Sequence, residues 1–221
     1  RPPRGPLPPS AHDVLREFRL LAAINPAPVR TPETLCACSD ESVIGAPFYV
    51  MDLVEGDVIT SEIPAALDSP AGRRGLMFEL IDALVELHEV EPFEYGLEWF
   101  GKPDGYLDRQ LRRFGGLWEL TKTRELPVVE QVASWLHENK PQSGASTIVH
   151  GDYRLGNVMF APGAEPKVAA IFDWELSTIG HPLADLAYNC MGYHVQNPRQ
   201  GGLVGVDHVA TGIPTEQEYV S

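Results

Sequence analysis

Apolar residues recur along the chain at two periods, and the switches between them divide it into elements. Residues 10–24 read as a helix: Val14, Phe18 and Leu21 form one stripe, Ser10 is a good N-cap with Asp13 at the capping-box spacing, and Asn25-Pro26 stops it. Glu17 stands beside that stripe, between Val14 and Leu21, and is expected to point toward the body of the protein. Residues 48–51 (Phe-Tyr-Val-Met) make a short β-prone run, and 52–56 a loop after it. Helical spacing returns over 72–90, with Leu76, Leu80, Leu84 and Leu87 on one side and Met77, Ile81, Val85 and His88 alongside. It continues over 106–120 and 128–137. Three short β runs follow, at 147–149, 158–161 and 168–172, and helix resumes from about Leu183. Helices gathered around small sheet elements predict an α+β fold, not a doubly wound sheet.

The 221 residues are 43% hydrophobic and 22% charged, a globular balance that argues against disordered and fibrous classes. Lys and Arg number 17 against 31 Asp and Glu, a net charge of −14. That argues against a nucleic-acid binder, whose affinity would rest on cations tracking phosphates, and suits a cationic or metal-bearing small ligand. No apolar run reaches the roughly 18 residues of a membrane span. Residues 1–10 contain five prolines and no apolar core, unlike a signal peptide. Cys36, Cys38 and Cys190 supply neither a disulfide framework nor a zinc site. The expectation is a protein without nucleic-acid or membrane partners in a reducing, cytoplasmic setting, its oligomeric state open.

Residues 96–103 (Gly-Leu-Glu-Trp-Phe-Gly-Lys-Pro) have the spacing of a phosphate-binding P-loop up to the last position. Pro103 stands where a hydroxyl would hold magnesium, and Trp99-Phe100 is too bulky for a backbone that wraps phosphates. The chemistry gathers instead in 146–175. Residues 158–161 and 168–172, joined by the turn-rich Pro162-Gly163-Ala164-Glu165-Pro166, are expected to pair as an antiparallel hairpin. Asn157, just before the first strand, then meets Asp173, just after the second, and Asp152 reaches the same end from the preceding loop. Two carboxylates and an amide oxygen are hard ligands that suit Mg2+ together with water and nucleotide phosphates. Phosphoryl transfer needs such a metal and a carboxylate to orient the accepting hydroxyl. Asp152 is placed to be that carboxylate, and Arg154 to add positive charge at the γ-phosphate.

His150-Gly151-Asp152 with Asn157, then Phe172-Asp173-Trp174-Glu175 and Gly180-His181-Pro182-Leu183-Ala184-Asp185-Leu186-Ala187, resemble the catalytic core of the aminoglycoside phosphotransferase family, which is similar to protein kinases. His181 stands where that family has Asp. The resemblance implies a protein-kinase-like two-lobed fold. Residues 1–54 would form a partial, β-containing nucleotide lobe with its hinge, and 55–221 a larger, mainly helical catalytic and acceptor lobe. It implies Asp152 as catalytic base, Asn157 and Asp173 as magnesium ligands, and His150 and Asp185 as braces of the catalytic loop. Glu17 matches the helix glutamate that pairs with the nucleotide-binding lysine; Met51, Leu53 and Glu55 fall in the hinge whose backbone holds adenine. ATP or another nucleoside triphosphate, Mg2+ and a hydroxyl-bearing small molecule are the implied ligands, with Trp174 and Glu175 near the acceptor. Residues 7–13, 105–110 and 212–216 look like one subgroup in particular, kinase-like domains found alone or fused to acyl-CoA dehydrogenases and linked to phosphorylating hydroxyacyl-CoA. In that family a glycine-rich strand pair would precede Arg1, which falls at or one place beyond the lysine position. Further helices shaping the acceptor pocket would follow Ser221. Taken literally, the chain would lack its nucleotide lid.

Two rivals stand beside this reading: a pseudokinase or nucleotide-binding module without turnover, and a metal hydrolase using Asp152, Asp173 and His181. The acceptor is open between aminoglycoside-like polyamines, which the acidic balance fits, and hydroxyacyl or other metabolic alcohols, which the subgroup phrases fit. Blander roles are expected elsewhere. His88 reads as a packed or helix-end histidine, Cys36 and Cys38 as small apolar residues of a strand, and Trp99, Trp118 and Trp135 as packing residues.

Overall fold

The computed structural model describes residues 13–142, 144, 146–196 and 202–221; the expected cap Ser10 and the expected cation position Arg1 lie outside the described residues. Helix α1 spans Val14–Ile24, and Asp13 is itself its N-cap, its carboxylate accepting the Arg16 N–H at 3.0 Å. Asp13 therefore does not occupy the third position of a helix begun at Ser10. Asn25 ends α1, and its amide then organises the next turn: Nδ2 donates to Thr31 and Pro32, while Oδ1 accepts from both the N–H and the hydroxyl of Thr34. That launches strand β1 (Thr34–Cys38), antiparallel to β2 (Phe48–Met51). After β3 (Asp57–Val58), helix α2 runs Pro70–His88, capped by the Ser69 hydroxyl with Pro in its first turn.

Helices α3 (Tyr106–Thr121) and α4 (Pro127–Glu138) follow, then β4 (Thr147–Val149), β5 (Val158–Phe160), β6 (Val168–Ile171), β7 (Thr178–Gly180) and α5 (Leu183–His194). Two single-turn helices close the chain, α6 (His208–Thr211) and α7 (Glu216–Tyr219). The strands form three small sheets: β1 with β2, β3-β5-β6, and β4 with β7. β5 and β6 are the expected antiparallel hairpin, in register Val158↔Ile171. β3 and β7 are too short to show a period of two, and the sequence pattern does not predict them. Mixed helices and small separate sheets make the fold α+β.

Leu20, Leu21 and Ile24 of α1, the leucines of α2 and the inner residues of β5 and β6 share one apolar core. At about 1.5–3 kcal/mol for each fully buried aliphatic side chain, this cluster ties α1 and the hairpin into one body. Helices α3 and α4 depart from expectation. Their positions are helical, yet Tyr106 is the only buried residue of α3 and α4 has none. Trp135 is 60% exposed and is not the packing residue expected, whereas Trp99, 39% exposed, packs edge-on against Phe100 and beneath Arg19. The two helices lean mainly on each other, and their periodicity could not show that no third surface covers them among the described residues. No helix among the described residues is long and apolar enough to cross a membrane.

Candidate active site

The site grows from the loop between β4 and β5. β4 is buried along its length and delivers His150, which is 0% exposed. The His150 Nε2 faces the Phe172 carbonyl at 2.9 Å, and Nδ1 accepts the Asp152 N–H at 3.2 Å. A carbonyl only accepts and an N–H only donates, so the ring is the neutral Nε2–H tautomer. Burial pulls its pKa down in the same sense, against the raising effect of Asp185. Asp185, 1% exposed at the start of α5, closes the loop from below. Its carboxylate accepts the His150 N–H at 2.7 Å, the Gly151 N–H at 2.8 Å and His88 Nε2 at 3.1 Å. Gly151 has φ 86°, and a Cβ there would lie 2.8 Å from the Leu176 carbonyl oxygen, so both backbone and space favour glycine.

Asp152 follows, held at both ends by Asn157. The Asn157 amide donates to the Asp152 carbonyl at 2.9 Å and to its carboxylate at 2.8 Å. This turns the only oxygen of the Asn157 side chain to the opposite side. Arg154 Nε lies 3.3 Å from the Asp152 carboxylate, and the Arg154 side chain is 52% exposed. The Phe172 N–H then donates to the Asn157 carbonyl at 2.8 Å, the last rung of the hairpin, and sets Asp173 next to the loop. Asp173 is exposed and is the only non-glycine with positive φ among the described residues, at φ 66°, ψ 60°. Side chains rarely adopt this conformation, at a cost of about 1–2 kcal/mol, and it concentrates where function requires it.

Glu17 does point inward, as its place on α1 suggests. Its carboxylate accepts the Trp174 N–H at 3.2 Å and is hydrogen-bonded by Tyr49. Burial, with Asp173 and Glu175 nearby, pushes its pKa up. Met51, Leu53 and Glu55 lie at the end of β2 and in the loop beyond it; Leu53 is 91% exposed. The N–H groups of Leu53, Val54 and Glu55 donate to no other backbone carbonyl among the described residues.

Trp174 requires a correction. It is 1% exposed, its ring lies 4.8 Å from that of His150, and its indole N–H donates to the Ile171 carbonyl, so it is a pillar of the core and cannot line an acceptor pocket. Glu175 beside it is exposed. Gly101 of the P-loop look-alike abuts β7, where a Cβ would lie 2.8 Å from the Ile179 nitrogen; it wraps nothing. Among the described residues no group of three or more His, Cys, Asp and Glu forms a metal-ligating cluster, which leaves an Asp152, Asp173 and His181 hydrolase without its cage. Sequence reasoning missed Tyr188, whose hydroxyl meets the Asp152 carboxylate. The available signal was its place three residues after Asp185, on the same face of α5. His88 is the packed, helix-end histidine expected, and its partner, Asp185, is 97 residues away.

Residues 1–213 match the phosphotransferase enzyme family. A mouse protein named acyl-CoA dehydrogenase family member 10 is 36% identical over 219 residues, covering 98% of this chain and 20% of that one. The chain spans 20% to 28% of the length of such acyl-CoA dehydrogenase relatives. Among solved structures, a candidate aminoglycoside phosphotransferase from Ralstonia eutropha superposes with a TM-score of 0.86 at 39% identity, over 96% of this chain and 64% of that one. The GDP complex of aminoglycoside 2'-phosphotransferase-IIIa aligns with a TM-score of 0.58 at 15% identity, covering 80% of this chain and 60% of its own, a likeness of fold alone. The shared architecture is the kinase-like, two-lobed α+β fold.

Proposed function

The chain belongs to the phosphotransferase enzyme family, and from that premise we propose that it moves the γ-phosphoryl group of ATP, or another nucleoside triphosphate, to a hydroxyl of a small molecule. The observation that carries this is the convergence at the hairpin end: Asn157 ties down Asp152, and the Phe172 N–H bond to Asn157 sets Asp173 beside them. Asp152 is the base that accepts the proton of the acceptor hydroxyl and orients its oxygen. His150 and Asp185 hold that loop in place. Asn157 and Asp173 fit Mg2+, since a freed amide oxygen and an exposed carboxylate are hard donors that leave room for water and phosphate. When bound, the ion supplies neutralisation of the phosphate charge. Arg154 adds its charge on leaving Asp152 for the phosphate. Residues 1–54 form the nucleotide lobe, with Met51, Leu53 and Glu55 offering hinge backbone to adenine and Glu17 anchoring the nucleotide cation. Residues 55–221 form the catalytic and acceptor lobe, with Glu175 at the acceptor.

The acceptor is an aminoglycoside-like polyamine or a hydroxyacyl or other metabolic alcohol, and the names of the relatives support both classes. The test is ATP turnover by the full chain with a panel of both. Asp152→Ala is expected to lose at least about a hundredfold, the lower range for a general base; turnover equal to wild type would sink the assignment. A second reading, a nucleotide-binding module without turnover, is the other outcome of that test. A thermal shift with Mg-ATP and no phosphate transfer to any acceptor would select it.

A further inference from the structure

Two consecutive residues of α1, Arg16 and Glu17, hold opposite ends of one turn. That turn, Trp174–Leu176 with Ser177 as its C-cap, begins directly after Asp173 with its left-handed backbone. Glu17 accepts the N–H at its start, from Trp174. Arg16 Nη2 donates to the carbonyl at its end, Ser177, at 2.6 Å, and reaches the Phe100 carbonyl at 3.5 Å. The guanidinium also lies 4.2 Å from the centroid of the Phe100 ring. A carboxylate thus takes the free N–H at the amino end and a guanidinium the free carbonyl at the carboxyl end. The hydrogen-bond acceptors of that guanidinium among the described residues are these two carbonyl oxygens, of Ser177 and Phe100. Ser177 is 1% exposed, and its neighbour Leu176 presses its carbonyl against Gly151 of the catalytic loop.

We infer that Arg16 is a positioning residue for phosphoryl transfer: with Glu17 it clamps the 174–177 turn and so fixes the backbone that presents Asp173 to the metal. The inference rests on the reading of Asp173 as a magnesium ligand. Asp tolerates the left-handed region better than most residues, and which backbone conformation Asp173 keeps is set by how its neighbours are held. Phe172 is held from before by Asn157 and His150, and Trp174 from after by Glu17. Arg16 secures the remaining end. Arg19 is the internal control: it lies on the same helix, stacks 3.8 Å over the exposed Trp99 ring, and among the described residues has no hydrogen bond or ion pair with the turn or the loop.

The experiment compares the full chain with its Arg16→Gln, Arg16→Lys and Arg19→Gln variants by two measurements. One is amide hydrogen exchange, following residues 172–178 against the buried residues of α2. The other is binding of Mn2+, as a paramagnetic substitute for magnesium, in the presence of ATP, read by electron paramagnetic resonance. Loss of a charge-assisted bond predicts that Arg16→Gln exchanges about tenfold faster in the turn alone and binds Mn2+ about tenfold more weakly. Arg16→Lys changes both in the same direction by less, and serves if the Gln variant does not fold. Arg19→Gln leaves both unchanged. Unchanged exchange in the turn, or equal acceleration in α2, overturns the clamp alone. Absence of Mn2+ binding with ATP by the wild-type chain overturns the functional reading, and the positioning role with it.

Discussion

Asp173 combines a functional group with a backbone conformation that most side chains avoid, and the two can be separated by substitution. Asn tolerates the left-handed region as Asp does. Asp173→Asn is therefore expected to hold thermal stability within about 0.5 kcal/mol while weakening Mg2+-dependent nucleotide binding by more than the roughly tenfold that even an outer-shell ligand partner costs. Calorimetry and a nucleotide titration on one preparation check both halves. Asp185 behaves in the opposite way, because its value lies in what it satisfies. Asp185→Ala strands the buried N–H of His150 and removes the partner of Gly151 and His88. A loss of about 3 kcal/mol is expected in urea unfolding. A loss under about 1 kcal/mol would show that water or a shifted His88 replaces the carboxylate.

Among the elements, the β5–β6 hairpin was legible in advance because a period of two, a turn-rich connector and flanking polar residues all agree there. Its register brought Asn157 and the residues before Asp173 together as the pattern implied. Burial of the aromatics was not legible, because one residue type in one kind of pattern serves two environments. Trp174 follows a charged residue and looks like a pocket wall, yet it is sealed beneath His150. Trp135 occupies an apolar stripe of α4 and stands in solvent. Nothing local distinguishes a stripe that meets a partner from one that does not. The same gap hid β7, whose three residues acquire meaning only by pairing with β4. Trp174→Ala should accordingly destabilise the chain by about 3–5 kcal/mol and Trp135→Ser by about 0.5 kcal/mol or less, compared by chemical denaturation midpoints.

For the molecule as a whole, the buried ring of His150 predicts how stability follows pH. Burial holds its pKa below the ordinary 6.5, so the folded protein keeps the ring neutral while the unfolded chain protonates as pH falls through that value. Stability is full above about pH 6.5 and declines below it, by up to about 1.4 kcal/mol per pH unit for this one group. Glu17 has the opposite sign: its raised carboxyl takes up a proton in the folded state first, adding stability as pH falls toward its ordinary 4.5. Urea midpoints across this range should fall first and then flatten, and His150→Gln should remove the first part. The far end of the β5–β6 hairpin has a different tolerance. Residues 162–165 are exposed, and the backbone bond from Ala161 to Lys167 closes the ladder before them. Entropy of ring closure grows only with the logarithm of the number of residues enclosed, about 0.6 kcal/mol for each doubling. Extra residues spliced in there should leave the opposite end of the ladder aligned, which makes this tip a natural port for grafted reporters.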